Sequence, residues 1–231
     1  MCGRYTLVTY HDQLVEEFDL LDAPGLPPRF NIAPTQMVPV VRVPAGQAQR
    51  QLDMVRWGLI PRWAKDPAVG NRMINARSEE AAVKPAFHSA LRWQRCLVPC
   101  SGFYEWKALN DKPARGKKKQ KQPYYICRRD EGLFAFAGLW ERWESPAVGT
   151  IESCTILTTE PNELVRPLHD RMPVIVGHAD YGLWLDPAVR EVEALEPLFR
   201  PFPTDDLVIH PVSTRVNNAS FDDPSCIEAA T

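Results

Sequence analysis

Cys96-Leu97-Val98-Pro99-Cys100-Ser101-Gly102-Phe103-Tyr104-Glu105-Trp106 is the stretch that decides the fold class. It is a short run of β-branched, aromatic and cysteine side chains bounded by polar residues, which reads as strand. Seven further runs read the same way: Val38–Val43, Met54–Leu59, Tyr124–Cys127, Phe134–Trp140, Cys154–Thr158, Met172–Val176 and Leu207–Val212. Loops, rather than long helices, separate most of them. That favours an antiparallel or mixed sheet, bent into a distorted barrel with helices packed outside, over a parallel βαβ arrangement. The 22 prolines point the same way, because proline stops helices and marks loops and strand edges. Helix is expected over Thr9–Leu20, with Thr9 as N-cap and Leu14, Val15 and Phe18 on one face. Ser78–Leu91 reads as one or two short helices broken by Pro85, and Tyr181–Leu185 and Val192–Phe199 as further helices. Leu26–Pro39 reads as a proline-rich loop. No linker divides two cores, so residues 1–231 are expected to form a single domain.

The hydrophobic content of 45% supports a sizeable core. Six cysteines (Cys2, Cys96, Cys100, Cys127, Cys154, Cys226) invite a disulfide reading. Against it, the start Cys2-Gly3-Arg4-Tyr5 has no secretory character, so a reducing cytosolic or nuclear compartment is expected. No apolar run approaches the ~18 residues of a membrane span. Cys96 and Cys100 have no nearby pair of Cys or His, so zinc is not expected. The net charge of −2 hides an asymmetry. Arg56–Arg95 holds eight Lys or Arg against three Asp or Glu, and Lys107–Arg129 nine against one. Asp180–Thr231 holds three against ten. Such a chain can present a local cationic surface. The run Lys117-Lys118-Lys119 is open to two readings, a solvated loop or a nucleic-acid contact.

Several clusters carry candidate chemistry. If Met1 is removed, Cys2 presents a free amine beside its thiol. The amine titrates near ~8 and the thiol near ~8.5, so both reactive forms exist at neutral pH. Such an aminothiol captures an aldehyde twice, as an imine and then as a five-membered thiazolidine whose closure is intramolecular. If Met1 is kept, Cys2 is merely a small residue. In Trp57-Gly58-Leu59-Ile60-Pro61-Arg62-Trp63, Trp57 suits the core and Trp63 suits an exposed stacking surface. Asn75 and Arg77 share a face in an extended segment, where they either orient an amine and a phosphate or stabilise a turn. Glu105 lies among aromatics, where burial makes a carboxyl a general acid, or where it makes a structural ion pair. His169, in Leu168-His169-Asp170-Arg171-Met172-Pro173, suits proton relay. His210 suits a structural role, and His11, His88 and His178 have no companions.

Together and in order, seven blocks closely resemble the SOS-response-associated peptidase (SRAP) family. They are Met1-Cys2-Gly3-Arg4-Tyr5, Asn31-Ile32-Ala33-Pro34, Trp57-Gly58-Leu59-Ile60-Pro61, Asn75-Ala76-Arg77-Ser78-Glu79, Gly102-Phe103-Tyr104-Glu105-Trp106, His169-Asp170-Arg171-Met172-Pro173 and His210-Pro211-Val212-Ser213. The resemblance runs from Cys2 to about Asn218; nothing is carried over to the basic stretch Lys112–Lys121. It implies an α+β fold, a single domain around a distorted, mainly antiparallel β-barrel with flanking helices. It also implies covalent crosslinking to abasic sites in single-stranded DNA. Cys2 would be the nucleophile, Asn75 would position its amine, Glu105 would assist sugar opening and imine formation, and His169 would complete the acid–base set. Arg4, Arg77, Arg171 and Lys84 would hold phosphates, and Pro34 and Trp63 would pack against bases. The resemblance implies no metal and no cofactor. The expected partner is single-stranded DNA with abasic sites, with no membrane, a monomeric state, and replication-fork partners left unspecified. The expected location is the cytoplasm, at the nucleoid, in a bacterium and the nucleus in a eukaryote.

Three other readings compete. An N-terminal-nucleophile amidotransferase would carry an Asn-Gly oxyanion motif, and this chain has no Asn-Gly dipeptide. A thiol peptidase could use Cys2, Glu105 and His169 to remove Met1. A non-covalent reader of modified bases would need the aromatics and arginines but not Cys2.

Overall fold

The structure is a computed structural model that describes residues 2–109 and 120–230. Its strands are β1 (Tyr5–Leu7), β2 (Arg29–Ile32), β3 (Met37–Arg42), β4 (Gln51–Trp57), β5 (Asn75–Arg77), β6 (Arg95–Cys100), β7 (Gly102–Ala108), β8 (Lys121–Arg128), β9 (Phe134–Ser145), β10 (Gly149–Thr159), β11 (Met172–Pro173), β12 (Ile175–Val176) and β13 (Leu207–Pro211). Four short helices join them: α1 (His11–Phe18), α2 (Ser78–Ala81), α3 (His88–Trp93) and α4 (Tyr181–Leu185).

Five strands close into a barrel. β4 pairs with β3, β3 with β6, β6 with β9 and β9 with β10, all antiparallel. The ring shuts where β10 meets β4 in parallel, Ser153 opposite Arg56 and Cys154 opposite Trp57. Closure removes the open edges that a five-stranded sheet would otherwise expose. Val38, Val55, Trp57, Val98, Phe136 and Ile156 are all fully buried in the resulting core. A second sheet, wholly antiparallel, runs in the order β13-β8-β7-β1-β2. The α+β class and the distorted barrel with flanking helices are therefore as the sequence suggests.

Four local expectations are corrected. The run Cys96–Trp106 is not one strand. It leaves the barrel after Cys100 and enters the second sheet at Gly102. Ser101 makes the turn possible by replacing ladder bonds: its N–H donates to Thr6 O (2.9 Å) and its Oγ accepts from Val8 N–H (3.0 Å). The proline-rich segment contains a strand, β2, because its backbone completes the edge beside β1. The first helix starts at His11, with Tyr10 rather than Thr9 at its cap; the Thr9 hydroxyl turns to Gln13 Oε1 (3.2 Å). Val192–Phe199 forms two 3-10 turns, with Pro197 inside the second.

Gly58 is the hinge that leads from the barrel to the site. Its φ of 128° is foreign to L side chains, and a Cβ there would lie 2.6 Å from Gly70 O. Around it the end of β4 grips the segment before β5. Leu59 N–H donates to Met73 O (3.1 Å) and Trp57 Nε1–H to Ile74 O (2.9 Å). Gly58→Ala should therefore lower unfolding stability by about 3 kcal/mol or more. Urea denaturation checks this, and a loss within ~0.5 kcal/mol would show that the turn relaxes freely.

Candidate functional site

The site grows from the pleat of β7. Successive strand residues face opposite sides. Phe103 belongs to the barrel core, whereas Tyr104 and Trp106 pack into a smaller cluster with Val212, Val216 and Cys226. Glu105, in phase with Phe103, is therefore sent towards the barrel side, where it is only 2% exposed. Burial pushes its carboxyl up to about 7, against the opposing effects of the positive amino terminus and of a bond from the Trp106 amide. A carboxyl that titrates near neutrality can both give and take a proton.

Cys2 is fully buried in the barrel core. Burial raises its thiol pKa, and the neighbouring Glu105 charge raises it further, so the thiol is held protonated. Asn75 reaches over from β5 and donates from Nδ2 to Cys2 O at 2.8 Å. Its Oδ1 is buried with no hydrogen-bond partner among the described residues. Two residues on, Arg77 is half exposed at the surface.

His169 arrives from the other side of β10. That strand pairs with β5 through Thr158 and Arg77 and with β11 through Thr159 and Met172. The turn Leu168–Arg171 is thus set across one strand from Asn75 and Arg77. Burial lowers the His169 pKa, with the amino terminus adding to the shift. Nδ1 lies 3.0 Å from Arg171 N and 2.8 Å from Asp170 Oδ1. These two contacts demand opposite roles of one nitrogen. In the neutral ring, which the lowered pKa favours, Nδ1 accepts from the Arg171 amide. Asp170, largely exposed, is engaged once the ring protonates. The charges of Lys121 and Asp170 act on both Glu105 and His169.

The basic residues divide by environment. Trp63, Asn75 and Lys84 line one open groove of about 410 Å³, with Arg72, Met73 and Phe87. Trp63 is 60% exposed, and Lys84 and Arg77 are both paired with Glu80. Arg171 turns inward. Its fork meets both Glu79 oxygens at 2.7 Å, and Nη2 also donates to Thr158 O at 2.6 Å. Arg4 also turns inward, to Asn31 Oδ1 and Val216 O, each 2.7 Å away. Pro34 occupies the turn between β2 and β3, where the next residue, Thr35, donates to Trp57 O (2.8 Å). His210 bonds Ile227 O (2.8 Å) and packs on Tyr125. Met1 and the Lys117-Lys118-Lys119 run lie outside the described residues.

Arg72, Phe87 and Lys121 belong to this neighbourhood and escaped the reading of the sequence. Arg72 had one signal, its place three residues before Asn75. Lys121 had only its place in the basic stretch Lys107–Arg129, and Phe87 had none, because the chain folds back to bring them in. Among the described residues no three His, Cys, Asp or Glu side chains gather in a way that could hold a metal ion, and no helix is long and apolar enough to cross a membrane.

The raised Glu105 pKa has a consequence for stability. Between its ordinary value of 4.5 and about 7, the folded protein keeps a proton that the unfolded chain has lost. Stability therefore falls as pH rises through that window and levels off above it. The fall is on the order of 3 kcal/mol, and Glu105→Gln should abolish it. Denaturation of both proteins at pH 5 and pH 8 measures the effect. Parallel pH profiles would mean that Glu105 ionises as an exposed carboxylate.

Comparison with known proteins joins these observations. Residues 1–219 match the family described as SOS response associated peptidase (SRAP). The chain is 40% identical over 232 residues to "Abasic site processing protein YoqW" of Bacillus subtilis (strain 168), covering 99% of this chain and 100% of that protein. It is 32% identical over 237 residues to "Abasic site processing protein HMCES" of Xenopus tropicalis, covering 90% of this chain and 68% of that one. Among solved structures, a phage-related protein from Bordetella bronchiseptica superposes with a TM-score of 0.72 at 28% identity, covering 91% of this chain and 94% of that one. A Bacteroides thetaiotaomicron protein shares the fold over the full length of both chains, with a TM-score of 0.80 at 23% identity. The chain belongs to the SOS response associated peptidase family.

Proposed function

We propose that this protein processes abasic sites in single-stranded DNA by covalent capture at Cys2 once Met1 has been removed. The observation that carries the reading is the meeting of Cys2, Asn75 and a buried Glu105 that titrates near neutrality. The family membership and the printed names of the relatives support the same substrate.

The chemistry balances with this chain's own groups. The Cys2 amine, positioned by the Asn75 amide, adds to the aldehyde carbon of the ring-opened sugar. Protonated Glu105 gives its proton to the hydroxyl of the adduct, which departs as water and leaves a protonated imine. Glu105, now a carboxylate, takes the thiol proton as sulfur adds to the same carbon, which restores the carboxylic acid and leaves the ring nitrogen neutral with its single proton. One C–N and one C–S bond form, and one water is lost. The buried thiol needs such a base, because its own pKa is raised. Neutral His169 exchanges protons when the ring reopens. Arg77 and Lys84 hold phosphates, and Trp63 and Pro34 pack on bases. Arg4 and Arg171 contribute positive charge while staying bonded within the protein.

Intact mass after incubation with an abasic oligonucleotide tests this directly. The expected adduct begins at Cys2 and weighs the sum of protein and DNA less one water. Cys2→Ala should give none, and Cys2→Ser should give one only after borohydride reduction. A stable adduct in Cys2→Ala, or full activity with Met1 retained, would overturn the reading.

The roles of binding and chemistry should also separate. Arg77→Ala should weaken DNA binding severalfold and reduce the salt slope by about one, since a phosphate contact acts through counterion release. Glu105→Gln should leave affinity intact and slow crosslinking by about a hundredfold. Anisotropy and single-turnover gels report the two quantities, and equal loss of binding in both variants would refute the division.

A further inference from the structure

Asn31 and the residues after Ser213 have no part in the reaction described above, yet they converge behind it. Asn31 is fully buried, and its side chain is saturated. Nδ2 shares its two protons among Val216 O (3.2 Å), Asn218 O (3.0 Å) and Phe221 O (2.6 Å), while Oδ1 accepts from Arg4 Nη1 (2.7 Å). Arg4 continues to Val216 O (2.7 Å) and Asn217 O (3.3 Å). Asp222 closes the loop onto β2. Its carboxylate accepts from Arg29 Nε, Phe30 N (2.5 Å) and Asn31 N (3.0 Å).

The same loop grips the second reactive strand. Trp106 Nε1–H donates to Asn217 Oδ1 at 2.7 Å. One short segment, Val216–Asp222, is therefore bonded both to Arg4, two residues from Cys2, and to Trp106, the neighbour of Glu105. Between these grips the strands are joined by Tyr104 N–H to Arg4 O (3.1 Å). The chain beyond the segment is anchored by His210 on Ile227 O and by Ala230 N–H on Pro211 O. The pleat of β7 explains the division of faces: Glu105 points to the barrel, and Trp106 points to this segment.

We propose that the Val216–Asp222 segment is a clasp that sets Cys2 and Glu105 in register, with Asn217 and Asn31 as positioning residues. The inference rests on the crosslinking reading, because register matters only if the two groups act on one carbon. Small misplacements of reacting groups reduce rate far more than binding. Asn217 is exposed, so its loss leaves the core untouched.

The experiment is single-turnover crosslinking of an abasic oligonucleotide by wild type, Asn217→Ala, Asn217→Asp, Trp106→Phe and the double variant Asn217→Ala/Trp106→Phe. Asn217→Ala should lower the saturating rate by roughly tenfold and leave the half-saturating DNA concentration unchanged. Asn217→Asp, which restores an acceptor for the indole N–H, should recover the rate. The double variant should be no slower than either single one, since both remove the same bond. Amide exchange should quicken in peptides covering Cys2–Leu7 and Tyr104–Lys107 of Asn217→Ala, independently of DNA. If wild type forms no adduct, the crosslinking reading has failed. If wild type reacts and Asn217→Ala keeps its rate, or Asn217→Asp fails to recover it, or amide exchange in both peptides is unchanged, the clasp is refuted.

Discussion

Burying one carboxyl on the barrel side of β7 is the constraint on which the site depends. A strand alternates its side chains, so a β7 that packs Phe103 into the barrel must send Glu105 the same way. The protein thereby accepts a group that is unfavourable to ionise, and its pKa rises towards neutrality. The same burial that makes Glu105 a usable acid keeps the Cys2 thiol protonated. In the proposed capture each group needs the other: the thiol lacks a base, and the carboxyl, after yielding its proton, becomes one.

Barrel closure and strand exchange supply the geometry. The parallel β4–β10 pairing holds Trp57 and Gly58 where they grip the approach to Asn75. β10 then carries β5 at one edge and β11 at the other, so Asn75 and His169 come from opposite sides. Ser101 moves the chain from barrel to second sheet within one residue. That brings Glu105 beside a β1 strand that starts three residues after Cys2.

The cationic residues have unequal standing. Arg77 and Lys84 sit at the surface in ion pairs with Glu80, of the kind that contribute little and exchange readily. Arg171 is buried in a bidentate pair with Glu79, and Arg4 is tied to Asn31 and two backbone carbonyls. Removing either should disturb the protein itself as well as any phosphate nearby, because a buried partner is left unsatisfied.

The strand runs and their short connections, read from residue type and alternation alone, were enough for the barrel and its helices. So was the exposure of Trp63, because a tryptophan flanked by proline and charge has no apolar run to join. The resemblance of seven ordered blocks placed the chain in its family. Residue type could not show that Cys96–Trp106 splits between two sheets, since Ser101 changes partners only through Thr6 and Val8, some ninety residues away. Nor could it distinguish Arg77 from Arg4 and Arg171, whose partners Asn31 and Glu79 are distant in the chain. Local chemistry is written in the sequence because propensity and pleat act over a few residues. Which side chains share a site, and which cation is already engaged, was decided only when closure of the barrel brought remote segments within hydrogen-bonding distance.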